Sequence, residues 1–323
     1  MTVPLITRFA PSPTGALHLG HAYAACVAHH FAQNSGGKMI LRIDDLDYTR
    51  CRAEFTNAIF ADLDWLGLTW HNSAEMPADR ATLPRQSQRF DAYAAALDQL
   101  RALGLVYPCY LSRRERASLM SAPHDPPNGS DGQAPAQATT HQQAMIDTDQ
   151  FLDATEIARR QKAGQTPAWR LRMSAAVTTA IKMSDGKPLT WFDHIMGRQS
   201  ATPEMFGDAV IARADIAVSY HLSVVVDDAL DQISLVTRGK DLAPSTHLHC
   251  LLQRLLGLPV PAYCHHPLVH DAAGNRLAKR DNAYSLASMR QDGLSVSDIL
   301  KKMPSLPNDC HDLHPDYDRE QRG

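Results

Sequence analysis

Apolar residues follow two rhythms along this chain of 323 residues. Leu5 to Ala10 is a short apolar-rich run that stops at Pro11. After a turn made by Pro11, Pro13 and Gly15, the spacing changes to the three- and four-residue steps of a helix, from His18 to Asn34. Ser35-Gly36-Gly37 closes that helix, and Lys38 to Ile43 reads as a buried second strand with Asp44-Asp45-Leu46-Asp47 at its exit. Strand, helix, strand is a βαβ unit, so a parallel sheet is expected. Amphipathic helices are expected over Arg52 to Leu66 and Gln86 to Leu103, closed by Gly67 and Gly104. Trp169 to Met173 and Leu189 to Ile195 read as further ordered segments. The apolar, β-branched runs Tyr220 to Val226 and Ile233 to Thr237, separated by Asp227-Asp228, predict two central strands, and Ser245 to Leu256 predicts a helix. Ser121 to Gln143 is built of Pro, Gly, Ser, Gln, Ala and His, which predicts a flexible surface loop, and the polar tail after Leu306 is expected to fray.

Composition narrows the class. With 44% hydrophobic and 21% charged residues, the chain is neither collagenous nor disordered. At roughly 150 residues per domain its length suits about two compact units. Lys and Arg total 32 against 35 Asp and Glu, a formal net charge of -3, so any contact with RNA must be regional. Six cysteines (Cys26, Cys51, Cys109, Cys250, Cys264, Cys310) show no C-x-x-C spacing, and the N-terminus lacks a basic segment followed by an apolar one. A reducing cytoplasm is the expected location, and no apolar run is long enough to suggest a membrane helix.

The chemistry concentrates in two places. Between Arg8 and His21 a strand end feeds a rigid loop, Pro11-Ser12-Pro13-Thr14-Gly15, into a helix start. Free backbone N–H groups and the positive helix end make such a junction suited to phosphate. Gly20 removes a side chain where a nucleotide could approach, and His18 and His21, three apart, can face one ligand. Far along the chain, Gly274-Asn275-Arg276-Leu277-Ala278-Lys279-Arg280 forms a glycine-led basic loop. Alone, each is an ordinary histidine pair or a solvated basic turn. Together they form an ordered set.

The string Pro11-Ser12-Pro13-Thr14-Gly15-Ala16-Leu17-His18-Leu19-Gly20-His21 resembles the signature of class I aminoacyl-tRNA synthetases, specifically the glutamyl and glutaminyl group. Arg276 to Arg280 is similar to the mobile lysine loop of that class, and Tyr220 to Asp228 with Thr237 to Leu242 looks like its glutamate-pocket segment. The resemblance implies a Rossmann-like α/β catalytic core with an inserted smaller domain. It implies ATP bound by Pro11, Thr14, Gly15, His18, Gly20, His21, Arg276, Leu277 and Lys279, with His18, His21 and Lys279 stabilising the reacting phosphate and Mg²⁺ bridging phosphates. It implies glutamate held by Arg8, Ser12, Asp44, Tyr220 and Arg238, with two arginines favouring Glu over neutral Gln.

The core is expected over residues 1–108 and 190–290, the insertion over 109–189 with its low-complexity loop at 121–143, and a short extension over 291–323. Only about forty residues follow the basic loop, so no anticodon-binding domain is expected. That brings the resemblance closest to the truncated glutamyl-queuosine tRNA(Asp) synthetases, which imply L-glutamate, ATP and queuosine-bearing tRNA(Asp) as partners and a monomer. Charging of a tRNA 3′ end, or a non-catalytic paralogue binding RNA or amino acid, stay open as alternatives. Two departures stand out. The family reads R-I-E-D where this chain has Arg42-Ile43-Asp44-Asp45, a carboxylate shorter by one methylene. The family's zinc-binding cysteines reduce here to Cys109, with His124 and His141 as poor substitutes and Cys310, His311 and His314 in a tail, so zinc is not expected and no metal ligand is assigned.

Overall fold

The computed structural model describes residues 3–112, 114–115, 152–213, 218–270 and 284–307. β1 (Ile6–Phe9) and β2 (Lys38–Leu41) pair in parallel with Arg8 opposite Ile40, and α1 (Leu19–Asn34) crosses between them. The return from α1 is close: a Cβ on Gly37 would stand 1.9 Å from the Leu5 carbonyl oxygen, so no larger residue fits there. Next come α2 (Ala53–Trp65), a single 3₁₀ turn at Gln86–Gln88, α3 (Phe90–Ala102) and β3 (Val106–Cys109). The chain continues through α4 (Ala154–Lys162), β4 (Ala168–Leu171), α5 (Met173–Met183), β5 (Thr190–Asp193), β6 (Gly197–Ser200) and β7 (Val210–Ala212). It ends with α6 (Tyr220–Leu230), β8 (Leu235–Gly239), α7 (Ala243–Leu256), β9 (Ala262–His266), α8 (Leu286–Gln291) and α9 (Val296–Lys301).

β8 and β9 pair in parallel with Arg238 opposite His265, β5 joins β9 in parallel, and β6 adds an antiparallel edge. β1 lies alongside β8, where the Ser234 N–H donates to the Ile6 carbonyl at 2.9 Å. Side chains alternate across these strands, as the pleat requires. Met39, Leu41 and Leu235 enter one apolar core with α1, α2, α8 and α9, while Ile40, Val236 and Tyr263 enter a second with α3, α5, α6 and α7. β3, β4 and β7 form a separate antiparallel sheet. Among the described residues no helix is long and apolar enough to cross a membrane.

One expected strand is a helix. Tyr220 to Val226 begins α6, capped by the Ser219 hydroxyl, which accepts from the Leu222 N–H. Leu222 through Asp228 are all buried, so polar and apolar residues alternate with neither period and the valines alone suggested a strand. Packing on both sides decides the conformation over the modest propensity of Val224, Val225 and Val226.

Candidate active site

A cavity of about 430 Å³ opens at the carboxyl ends of β1 and β8 and beside the exit of β2. Six of the sequence-predicted residues line it: Arg8, Ser12, His21, Asp44, Tyr220 and Arg238. Ligands of open parallel sheets bind at such an edge.

The loop before α1 is sewn to the chain leaving β2. Pro11 and Pro13 offer carbonyls to the N–H groups of Asp44 and Arg52 at 3.1 and 3.0 Å, and Thr14 donates to the Ser12 carbonyl at 2.8 Å. The two histidines then cap the helix reciprocally: Nδ1 of His18 accepts from Gly20 N–H at 3.1 Å, and Nδ1 of His21 accepts from His18 N–H at 3.2 Å. An accepting Nδ1 leaves each ring proton on Nε2, so both imidazoles remain donors there. Their centroids lie 3.8 Å apart, with His21 on the cavity wall and His18 behind it. At Gly20 an added Cβ would stand 3.0 Å from His18 Cε1, so the glycine makes room for the capping ring. At Gly15 an added Cβ meets nothing within 4 Å. Arg276, Leu277 and Lys279, like residues 121–143, lie outside the described residues. The chain re-enters beside the loop, where Leu286 N–H donates to the Leu17 carbonyl at 2.9 Å and Ser285 bridges His18.

Below the cavity floor lies a buried charge network that the sequence reading did not anticipate. Arg42 is fully buried, donating from Nε to Asp44 at 2.8 Å and from one terminal nitrogen to Asp228 and Asp231 at 3.0 and 2.9 Å. Arg89, Gln86 and Tyr93 converge on Asp227, and Arg89 also binds Asp231. Arg8 bridges the network to β8, reaching Asp228 at 3.3 Å and the Thr237 carbonyl at 2.8 Å. Burial pushes the Asp44 carboxyl up to about 6, although the charge of Arg42 and its hydrogen bond pull the other way. In the sequence Asp227-Asp228 seemed only to separate two apolar runs. Helical spacing places Asp227 and Asp228 on α6 together with Asp231, which caps its end, the one signal that could have revealed them.

Tyr220 opens α6 half exposed, its ring 5.5 Å from that of His221 and 5.7 Å from that of His249. Arg238 is buried beside it and donates to His265, His249 and Thr246. Among the described residues no group of three or more His, Cys, Asp or Glu stands placed to hold a metal, and the acidic groups of the floor are occupied by arginines. Of the residues weighed for zinc, Cys109 is buried in β3, while His124, His141, Cys310, His311 and His314 lie outside the described residues.

A parallel sheet carrying a capped histidine pair, a Pro/Gly loop and two buried arginines at one edge defines a nucleotide-handling α/β fold of the Rossmann class. The family described as tRNA synthetases class I (E and Q), catalytic domain, matches residues 4–301, and the chain belongs to it. The Glutamyl-Q tRNA(Asp) synthetase of Rhodobacter capsulatus is 43% identical over 298 residues, 92% of this chain and 99% of its own length. The Glutamyl-Q tRNA(Asp) synthetase of Symbiobacterium thermophilum is 39% identical over 94% of this chain and 86% of its own. Among solved structures, a glutamate tRNA ligase from Elizabethkingia meningosepticum in complex with its amino acid superposes with a TM-score of 0.64 at 26% identity. That match covers 90% of this chain and 53% of the ligase, so the chain spans about half its length. Mycobacterium tuberculosis methionyl-tRNA synthetase bound to methionyl-adenylate, 12% identical with a TM-score of 0.52 over 94% of this chain and 65% of its own, shares the fold.

Proposed function

We propose that the chain is a ligase that activates L-glutamate with ATP and transfers it to the queuosine base in the anticodon of tRNA(Asp). The observation that carries the first half is one cavity holding both kinds of residue: His21 at the capped loop, and Arg8 with Arg238 on the sheet edge. The second half is supported by the relatives named Glutamyl-Q tRNA(Asp) synthetase, one of them matched over 99% of its length.

In the first step an α-carboxylate oxygen of glutamate attacks the α-phosphorus of ATP, and pyrophosphate leaves with the electrons of the broken P–O bond. Nε2–H groups of His18 and His21 donate to the phosphate oxygens on which charge builds, and the Lys279 ammonium adds a point charge. The loop Pro11, Thr14 and Gly15, with Arg276 and Leu277, holds the nucleotide. Arg238 and Arg8 face the side-chain carboxylate, while Ser12, Asp44 and Tyr220 hold the amino-acid end. In the second step a queuosine hydroxyl attacks the activated carbonyl carbon, losing its proton as AMP departs. Mg²⁺, held by the nucleotide rather than by the described side chains, would supply further charge neutralisation at the phosphates. The core of residues 1–108 and 190–290 carries this chemistry, and the chain acts as a monomer in the cytoplasm, where its cysteines stay reduced.

Labelled glutamate offered with tRNA(Asp) from cells that make queuosine, and from cells that lack it, tests the acceptor. Label only on the queuosine-bearing tRNA is expected. Equal labelling of both would place glutamate on the 3′ end and overturn the assignment.

A further inference from the structure

We infer that Thr246, His249 and His265 form an electrically neutral cradle that presents Arg238 to the cavity as a cation with no carboxylate in contact among the described residues, and that this cradle makes the site select a carboxylate over its amide. The inference rests on the glutamate reading above.

Every polar contact of Arg238 goes to an uncharged acceptor. Its Nε donates to Nε2 of His265 at 3.1 Å, one terminal nitrogen to Nδ1 of His249 at 3.2 Å, and the other to Oγ1 of Thr246 at 2.6 Å. A guanidinium only donates, so these ring nitrogens must be unprotonated, and the tautomers follow. His265 carries its proton on Nδ1 and gives it to Asp193 Oδ2, whose partner oxygen is fixed by the N–H groups of Ile195 and Met196 at 2.9 and 3.0 Å. His249 carries its proton on Nε2 and gives it to Nδ1 of His221 at 3.1 Å. The Tyr263 ring lies 5.2 Å beneath the guanidinium and stacks on His265. A second proton on His249 or His265 would aim N–H at N–H. Burial, aided by the charge of Arg238, holds His221 down to about 4 and His249 well below the ordinary histidine range; burial is also the chief force lowering His265.

The contrast with the neighbouring arginines is plain. Arg8, Arg42 and Arg89 each contact an aspartate, whereas among the described residues no carboxylate lies within 4 Å of Arg238. Asp228, whose charge reaches Arg238 from further away, has Oδ1 engaged by Arg8 and Arg42. Of a guanidinium's five N–H donors the cradle uses three. One remains on each terminal nitrogen, the pair that a carboxylate accepts side by side. An amide would turn its own NH₂ against one of them. His249, His265 and Thr246 are thus positioning residues, acting through Arg238.

The test compares near-isosteric neutral and anionic replacements in the full chain, reading glutamate- and glutamine-dependent ATP–pyrophosphate exchange. His249→Gln keeps an acceptor without charge and is expected to hold the glutamate-over-glutamine preference to within about tenfold. His249→Glu supplies a counter-ion, and is expected to lower that preference on the order of 100-fold, through KM for glutamate rather than kcat. Thr246→Asn against Thr246→Asp repeats the comparison at the other terminal nitrogen, should one pair fail to fold. Equal loss in the neutral and anionic variants would reduce the cradle to a structural support and overturn the inference while leaving the glutamate reading intact. Absence of glutamate-dependent exchange in the unsubstituted protein would overturn both.

Discussion

In the proposed function, Arg238 and Asp44 divide the recognition of an amino acid between a fork of donors and a buried carboxylate. Arg238→Lys keeps the charge but not the fork, and loses acceptors on His265 and Thr246 together. A rise in KM for glutamate of about 100-fold is expected, with kcat much less affected, read by pyrophosphate exchange. Asp44 is held back by Arg42 at 2.8 Å and is one methylene shorter than the glutamate that the resemblance implies there. Asp44→Glu is expected to raise kcat/KM for glutamate, by up to about 100-fold if reach is the deficit. Unchanged kinetics would mean that the pocket has already closed the gap. Because burial raises the Asp44 carboxyl to about 6, it loses its charge as the pH falls through that value. Glutamate affinity is therefore expected to weaken below about pH 6, and Asp44→Asn should erase that step in the pH profile. Arg8, His21 and Arg238 were legible because motif strings carried them. The cradle was not, since Asp193, Thr246, His249 and His265 come from three elements that only the folded sheet and α7 bring together.

At the scale of elements, pattern reading succeeded where turn residues punctuate the change of period and failed where the run itself carries no period. β1, α1 and β2 were legible from a change of period around Pro11 to Gly15 and Ser35 to Gly37. α6 was not, because its valines and aspartates are buried alike and no polar face marks the helical repeat. The docking of α2 against α8 exposes a cost that the sequence hides. Asp62 is 1% exposed and neither of its carboxylate oxygens has a hydrogen-bond partner, with Arg290 3.6 Å away. Burial pushes this carboxyl up to about 6, against a lesser pull from Arg290. The folded form thus binds its proton more tightly than the unfolded chain, a contribution that is complete at low pH and is lost as the pH rises through about 6. Asp62→Asn removes the penalty of ionisation. Urea unfolding at pH 8 is expected to show a gain of about 1 to 2 kcal/mol, shrinking as the pH approaches 4; a gain independent of pH would rule out this origin.

Across the whole molecule, the charge network ties the strands that flank the Pro11–Gly15 loop to the helix that carries Tyr220. Arg42 is its centre, between Asp44 on one side and, on the other, Asp227 and Asp228 of α6 with Asp231 at its C-cap. Arg42→Met would leave buried carboxylates uncompensated and is expected to cost about 3 to 5 kcal/mol in urea unfolding, far more than loss of an exposed pair such as Arg80 with Asp64. The same frame lets a single cavity hold His21, Arg8 and Arg238 in register, with His18 packed behind His21. The most direct measurement is glutamate-dependent ATP–pyrophosphate exchange on the purified chain with no tRNA present, with glutamine and aspartate run in parallel. Exchange with glutamate, and little with the other two, is the expected result. Exchange that is indifferent to the side chain, or absent with all three, would contradict activation of glutamate by this site alone.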